Sequence, residues 1–256
     1  MSEKTPLYDW PRASAFGRVI PKTKIYEHAA ANTGLKDLFV REVDQIVWSH
    51  KLAPETVNLA ATKQVAEIQV FRITARTATL DRDVLRAIDK AIPFPLIFEV
   101  AHGGRVRLAA AYKRPSEADS TRWVVSDHFL GDWLPEDAPR APLPVALNMG
   151  ALYERLLEPL VTGQTNRLVP DIAETANSET QIEKPLSLEE RIALAEAIKA
   201  KLREVERIKS RLAREKQFNK RVAINAELRA AKQELERLTA GSAATAAANY
   251  QEDDHG

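Results

Sequence analysis

Hydrophobic and polar positions along this 256-residue chain change period several times, and each change marks an expected element. Up to about Lys24 there is no sustained period, and Pro6, Pro11, Gly17 and Pro21 interrupt the chain. That stretch reads as an irregular arm pinned to the body by Tyr8, Trp10, Phe16 and Ile20. Leu35, Leu38, Phe39, Val43, Ile46 and Val47 then recur at three- and four-residue steps, which predicts one amphipathic helix over 35–51, capped near Asn32 and Gly34 and ended before Pro54. VAEIQVFRITA, from Val65, is rich in apolar and β-branched residues and reads as a strand. LDRDVLRAIDKAI, from Leu80, returns to helical spacing, with Asp81 and Asp83 at the positive end of its dipole and Pro93 as its stop.

PLIFEVAHGGRVRLAAAY holds two apolar runs joined by Gly103-Gly104, the signature of a hairpin turn that needs positive φ. RWVVSDHFLGDW adds a strand and a turn, EDAPRAPLPVAL a wrapping or linking segment, and MGALYERLLEPLV a short helix. The fold class is therefore α+β, an N-terminal mixed α/β head domain followed by a long, coiled-coil-like C-terminal α-helix. The expected boundaries are a head over 1–161, a polar linker over 162–186, the long helix over 187–240 and a low-complexity disordered tail over 241–256. Ser187 and Glu190 have the spacing of a capping box at the start of that helix.

The long helix carries an apolar seam of Leu194, Ile198, Leu202, Val205, Ile208 and Leu212, which loses phase near 215–219 and resumes with Val222, Leu228, Ala231, Leu235 and Leu238. Two structures satisfy this pattern: a continuous helix, slightly rewound, or a helical hairpin turning within EKQFNK. The absence of Gly and Pro there favours continuity. A helix of roughly fifty residues requires something to cover its seam, which points to a homo-oligomer. An Asn at a seam position, Asn219 or Asn225, would set register or oligomer state.

Composition narrows the function classes. The chain is 45% hydrophobic and 29% charged with a net charge of +1, so it is a globular chain, and any nucleic-acid contact must come from a local patch. Such a patch exists: Lys209, Arg211, Arg214, Lys216, Lys220 and Arg221 face a single acid, Glu215, with Phe218 in their midst. It reads either as a solvated helix face or as a contact for nucleic acid or an acidic partner, anchored by Phe218. The absence of cysteine excludes disulfides, thiolate nucleophiles and thiolate metal sites. The N-terminus has no apolar stretch of a secretory signal, and the longest apolar run, AIPFPLIFEVA, is broken by Pro93 and Pro95, so a cytoplasmic protein without membrane contact is expected.

Catalytic signatures are sparse. No phosphate-binding loop or nucleophile elbow is present, and His28, His50, His102, His128 and His255 lack metal-ligand spacing, so neither metal nor cofactor is expected. One alternative remains. Glu55 after Pro54, then Glu67-Ile68-Gln69, have the spacing of restriction-type nucleases that place an acid before a strand bearing (D/E)-x-K; two carboxylates there would hold Mg²⁺. Gln69 stands where that pattern has a lysine, and the plainer reading is a capping Glu55 and an edge-strand Glu67.

The strings LYDWPRASAFGRVIPKTKIYEH, VDQIVWSHKLAPETVNL, VAEIQVF and EKQFNKRVAINAEL together resemble an uncharacterised prokaryotic domain-of-unknown-function family (DUF4391-like), over nearly the whole chain. The resemblance implies genes lying beside Swi/Snf-type helicases and adenine-specific DNA methyltransferases, and hence a DNA-restriction or phage-defence setting with such an enzyme as partner. It transfers no catalytic residue. QFNKR belongs to the family pattern, which makes Arg214, Lys216, Gln217, Phe218, Asn219, Lys220 and Arg221 the expected interaction surface. Two functions follow as expectations: a non-catalytic accessory protein that self-associates or docks a partner through its C-terminal helix, and alternatively a Mg²⁺-dependent or degenerate nuclease.

Overall fold

The computed structural model describes residues 5–116, 118–119, 122–168 and 186–249, with 240–249 as backbone only. The chain is mixed α+β and divides into two units, Met1–Gly163 and Gln164–Gly256.

The first unit is built on one seven-stranded mixed sheet. In chain order it comprises β1 (Leu7–Tyr8), a 3-10 turn (Arg12–Ser14), β2 (Ala15–Val19), α1 (Lys22–Ala29), α2 (Thr33–Glu42), β3 (Val43–Leu52), α3 (Pro54–Val57), β4 (Ile68–Ala75), α4 (Arg82–Ala91), β5 (Leu96–His102) and β6 (Arg105–Ala110). Five short strands complete the β structure: β7 (Lys113–Pro115), β8 (Trp123–Val125), β9 (Phe129–Leu130), β10 (Leu134–Pro135) and β11 (Arg140–Ala141). The helix α5 (Met149–Leu168) follows. The sheet order is β10-β6-β5-β4-β3-β2, with β9 also on β6. Within this sheet, among the described residues, only β4 and β5 run parallel, because α4 carries the chain back between them.

The sheet has a core on one face, where Phe71, Ile73, Phe98, Val100 and Ala109 meet Ile25 and Ala29 of α1, Phe39 of α2, and Val84, Leu85 and Ile88 of α4. Val70, Ile97 and Leu108, on the alternate positions, are buried as well, so the central strands are apolar on both faces. Local chemistry sets the element ends. The Asn32 side chain accepts from Leu35 N at 2.9 Å to start α2, and that of Asp81 accepts from Asp83 N at 2.9 Å to start α4. Gly103 (φ +55°) and Gly104 (φ +73°) make the β5–β6 turn in the left-handed region, as their pairing requires.

The expected helix over 35–51 is half helix and half strand. The helix stops at Glu42, and Val43–Leu52 forms β3, the strand between β2 and β4. Irregularities in its pairing with β4, between Val43 and Gln45 and between Trp48 and His50, shift its inward phase. The buried residues Val43 and Ile46 thereby fall three apart, the spacing of a helix. The N-terminal arm is more ordered than expected, contributing β1, β2 and α1; Tyr8 and Trp10 are buried, whereas Phe16 is exposed and lies against Trp48, ring centroids 4.0 Å apart. The Pro-rich segment wraps back, β11 pairing with β1 in parallel.

Residues 162–168, expected in a linker, continue α5, while the remainder of that linker, 169–185, lies outside the described residues. The second unit contains α6 (Leu188–Arg214) and α7 (Phe218–Asn249). Ser187 caps α6 reciprocally with Glu190, Ser187 N donating to the Glu190 carboxylate at 2.8 Å. The expected single long helix is interrupted: Glu215 turns extended, its carboxylate accepts from Gln217 N at 2.8 Å, and a new helix begins at Phe218.

The two helices then pair antiparallel. Val205 and Ile208 of α6 pack with Ile224 and Ala231 of α7, with Leu212 and Leu228 alongside. Arg211 pairs with Glu227, and Lys201, three turns earlier, lies within electrostatic reach of Glu234. The seam of the long helix is thus covered by the same chain. Helix α7 also runs through 241–249, which the sequence placed in a disordered tail; 250–256 lie outside the described residues.

Candidate functional site

Four charged clusters stand out, three inside the first unit and one at the turn of the second. Asp89, near the end of α4, is buried with His128 and Lys113, whose side chains are 2%, 0% and 1% exposed. His128 Nε2 and Asp89 Oδ2 are 2.6 Å apart, and Lys113 Nζ lies 3.6 Å from Asp89 Oδ1. The same ammonium donates to the carbonyls of Asp89 and Ile92, the last orphan acceptors of α4, at the negative end of its dipole. Burial pushes the Lys113 pKa down while Asp89 holds it up. Tyr153 of α5 closes the cluster, donating to Ala111 O at 2.7 Å and accepting from Lys113 N at 3.0 Å; burial pushes its phenol well above the usual range. These groups are sealed from solvent and use their charge to end a helix.

Glu99 of β5, 5% exposed at its side chain, accepts from Trp10 Nε1 and Arg140 Nη1, each at 2.7 Å, and from Arg72 Nη1 at 3.3 Å. Arg72 also pairs with Glu136, and Arg140 donates to Tyr8 O at 2.8 Å. The carboxylate therefore clamps the N-terminal arm and the returning segment onto the sheet. His50 lies beside this clamp, its imidazole pKa pushed down by burial and its Nδ1 without a hydrogen-bond partner.

The structure does bring Glu55, Glu67 and Gln69 together. Glu55 opens α3, Glu67 precedes β4, and Gln69 on β4 donates to Glu67. Lys51, opposite Gln69 in the β3–β4 register, lies 3.1 Å from Glu55 Oε1 and 3.3 Å from Glu67 Oε2. Its own pKa is raised by hydrogen bonds to Glu55 and then Glu67, and Glu55 is held low by its backbone N–H and by Lys51. Lys51 thus supplies the positive charge that Gln69 lacks, and occupies the position between the carboxylates that a divalent cation would take. Among the described residues no three His, Cys, Asp or Glu side chains converge as a metal site. Reading 35–51 as one helix hid Lys51, because only the strand register places it beside Gln69.

The fourth cluster is the tip of the α6–α7 hairpin. Lys209 and Arg211 of the basic band are engaged within the unit, with Glu206 and Glu227. Arg214, Lys216 and Arg221 make no ion pair among the described residues and are exposed, as are Gln217, Asn219 and Lys220. Glu215, the single acid, bends back to the Gln217 and Lys216 N–H groups, which with the nearby Lys220 hold its carboxyl low. Phe218 is 78% exposed and Val222, one turn on, 55%. Val222 was expected in the seam and is exposed, Ile224 facing inward in its place; the expected Leu228 and Ala231 do pack in the seam, and Leu235 is half-buried. Of the other expected seam residues, Ile198 and Val205 are buried, while Leu194, Leu202 and Leu212 are half-buried. Asn219 and Asn225 are exposed and take no seam position.

A mixed α+β domain followed by helices whose turn is basic and aromatic is the class that this geometry defines. The chain belongs to the family described as Domain of unknown function (DUF4391), which matches it over residues 8–235. No curated protein and no solved structure matches it. No helix among the described residues is long and apolar enough to cross a membrane.

Proposed function

We propose that this protein is a non-catalytic accessory protein that works by docking a partner through the tip of its helical hairpin, in a DNA-restriction or phage-defence setting in the cytoplasm. One observation carries the reading: the head's buried charged clusters are spent on their own packing, whereas Arg214, Lys216, Phe218 and Arg221 are exposed and make no ion pair among the described residues. An exposed aromatic ring amid cations has the make-up of an interaction hot spot. The neighbouring helicase or DNA methyltransferase that the family resemblance implies is the protein partner of this reading. Self-association through a coiled coil becomes the weaker form of it, since α7 already covers the seam of α6.

The test is co-purification of tagged full-length chain with the neighbouring helicase and methyltransferase at physiological salt. Retention by the native chain and loss with Phe218→Ala plus Arg214, Lys216, Lys220 and Arg221 changed to Glu is the expected result. Equal retention by both chains would place the contact elsewhere.

A second reading is favoured by one observation, the convergence of Glu55, Glu67 and Gln69 around Lys51. In it the site would be a Mg²⁺-dependent nuclease, Glu55 and Glu67 being the residues that would hold the metal, which would supply an activated water, and Lys51 the residue that would supply the charge Gln69 lacks. DNA cleavage that requires Mg²⁺ and disappears in Glu67→Ala is what that reading demands.

A further inference from the structure

We infer that the ligand of the hairpin tip is single-stranded nucleic acid, held by stacking of a base on Phe218 and by phosphate contacts from Arg214, Lys216, Lys220 and Arg221. The inference rests on the tip being an interaction surface and names the chemistry of what it takes. Four cations fall within eight residues at one end of the hairpin, and the single acid of that stretch, Glu215, is turned back onto backbone N–H groups. The surface is therefore a local anion-seeking patch on a chain whose total charge is +1.

The aromatic ring decides which polyanion fits. A duplex offers phosphates but hides its base faces within the stack, so an exposed Phe would add nothing to its capture. A single strand presents both at once, and the pairing of a basic surface with an aromatic platform is the general solution for binding it without sequence preference. Gln217 and Asn219, exposed on either side of Phe218, add amide groups able to reach base edges.

Fluorescence anisotropy with the full chain, a labelled 12-nucleotide oligo-dT and a duplex of the same length tests this directly. The expected result is binding of oligo-dT in preference to duplex, with a log–log salt slope of about −3, from roughly 0.7 counterions released per phosphate contact at four contacts. Phe218→Ala should weaken it on the order of ten-fold, the scale of losing one stacked base. Charge reversal at Arg214, Lys216, Lys220 and Arg221 should abolish it. Duplex binding as tight as oligo-dT with no effect of Phe218→Ala overturns the inference, as does the absence of binding at 50 mM salt. If oligo-dT binding is absent or unchanged by the tip variants while those variants lose the helicase or methyltransferase, the inference fails and the docking reading stands; if they lose neither ligand, both fail.

Discussion

The head and the hairpin contain the same kinds of charged residue and use them in opposite ways. In the head, Glu99, Asp89 and Lys113 are buried and each meets several partners, so their charges fasten segments together: the arm and β11 onto β5, the end of α4 onto β7. In the hairpin, the inside is a narrow apolar seam, and the cations of the turn are left in solvent with a phenyl ring between them. A charge that is buried and satisfied stabilises a fold; a charge that is exposed and lacks a counter-ion is available to something else. The cations and the ring of the tip are therefore the residues from which the fold gains least.

That contrast can be broken at its strongest point first. Lys113→Met should cost about 3–5 kcal/mol of head stability, because it leaves Asp89 and two helix-end carbonyls without their buried cation. Urea unfolding followed by tryptophan fluorescence reads this cleanly, since Trp10, Trp48, Trp123 and Trp133 all lie in the head. A loss below about 1 kcal/mol would mean that the ammonium contributes little. Ile208→Ala removes a seam residue only 6% exposed and should cost about 2–4 kcal/mol, read as lost helicity at 222 nm with the tryptophan signal unchanged. A shift in both signals would show that the two units do not report separately.

Alkaline pH offers a third comparison. Burial, with Glu158 nearby, raises the Tyr8 phenol from 10.0 to about 12. Below pH 10 Tyr8 is protonated folded or unfolded and its full contribution is present. Between pH 10 and about 12 the unfolded chain ionises while the folded one does not, so stability falls, by roughly 3 kcal/mol. Tyr8→Phe should flatten that decline, and an unaltered pH profile would exclude Tyr8 as its source. The smallest effect on stability belongs to the tip: Phe218→Ala and the four charge reversals should each stay within about 0.5 kcal/mol of the native chain. A larger loss would show that these residues serve the fold.

Much of the fold was legible because local chemistry and pattern agreed. Asn32 and Ser187 cap helices where the sequence placed the helix starts, Asp81 caps α4 from a position read as its first turn, and Gly103-Gly104 turns the hairpin. The misreadings have physical causes. Two irregularities in β3 gave a strand the three-residue spacing of a helix, and the turn after Arg214 is made by a Glu side chain capturing a backbone N–H, a device without Gly or Pro. Both misreadings hid contacts that depend on them: Lys51 beside Glu67, and Phe218 at a turn instead of along a continuous helix. Clusters such as Lys113–Asp89–His128 join residues far apart in the chain and have no local signature at all.

The measurement that bears most directly on the tip as the working surface is phage plating efficiency on the native host, with its own copy deleted and complemented by three chains: native, Glu67→Ala, and Phe218→Ala combined with the four charge reversals. Protection by the native and Glu67→Ala chains and none by the tip variant, all at equal protein level, is the expected result. Protection that survives in the tip variant and vanishes in Glu67→Ala would contradict it and move the function to the carboxylates around Lys51.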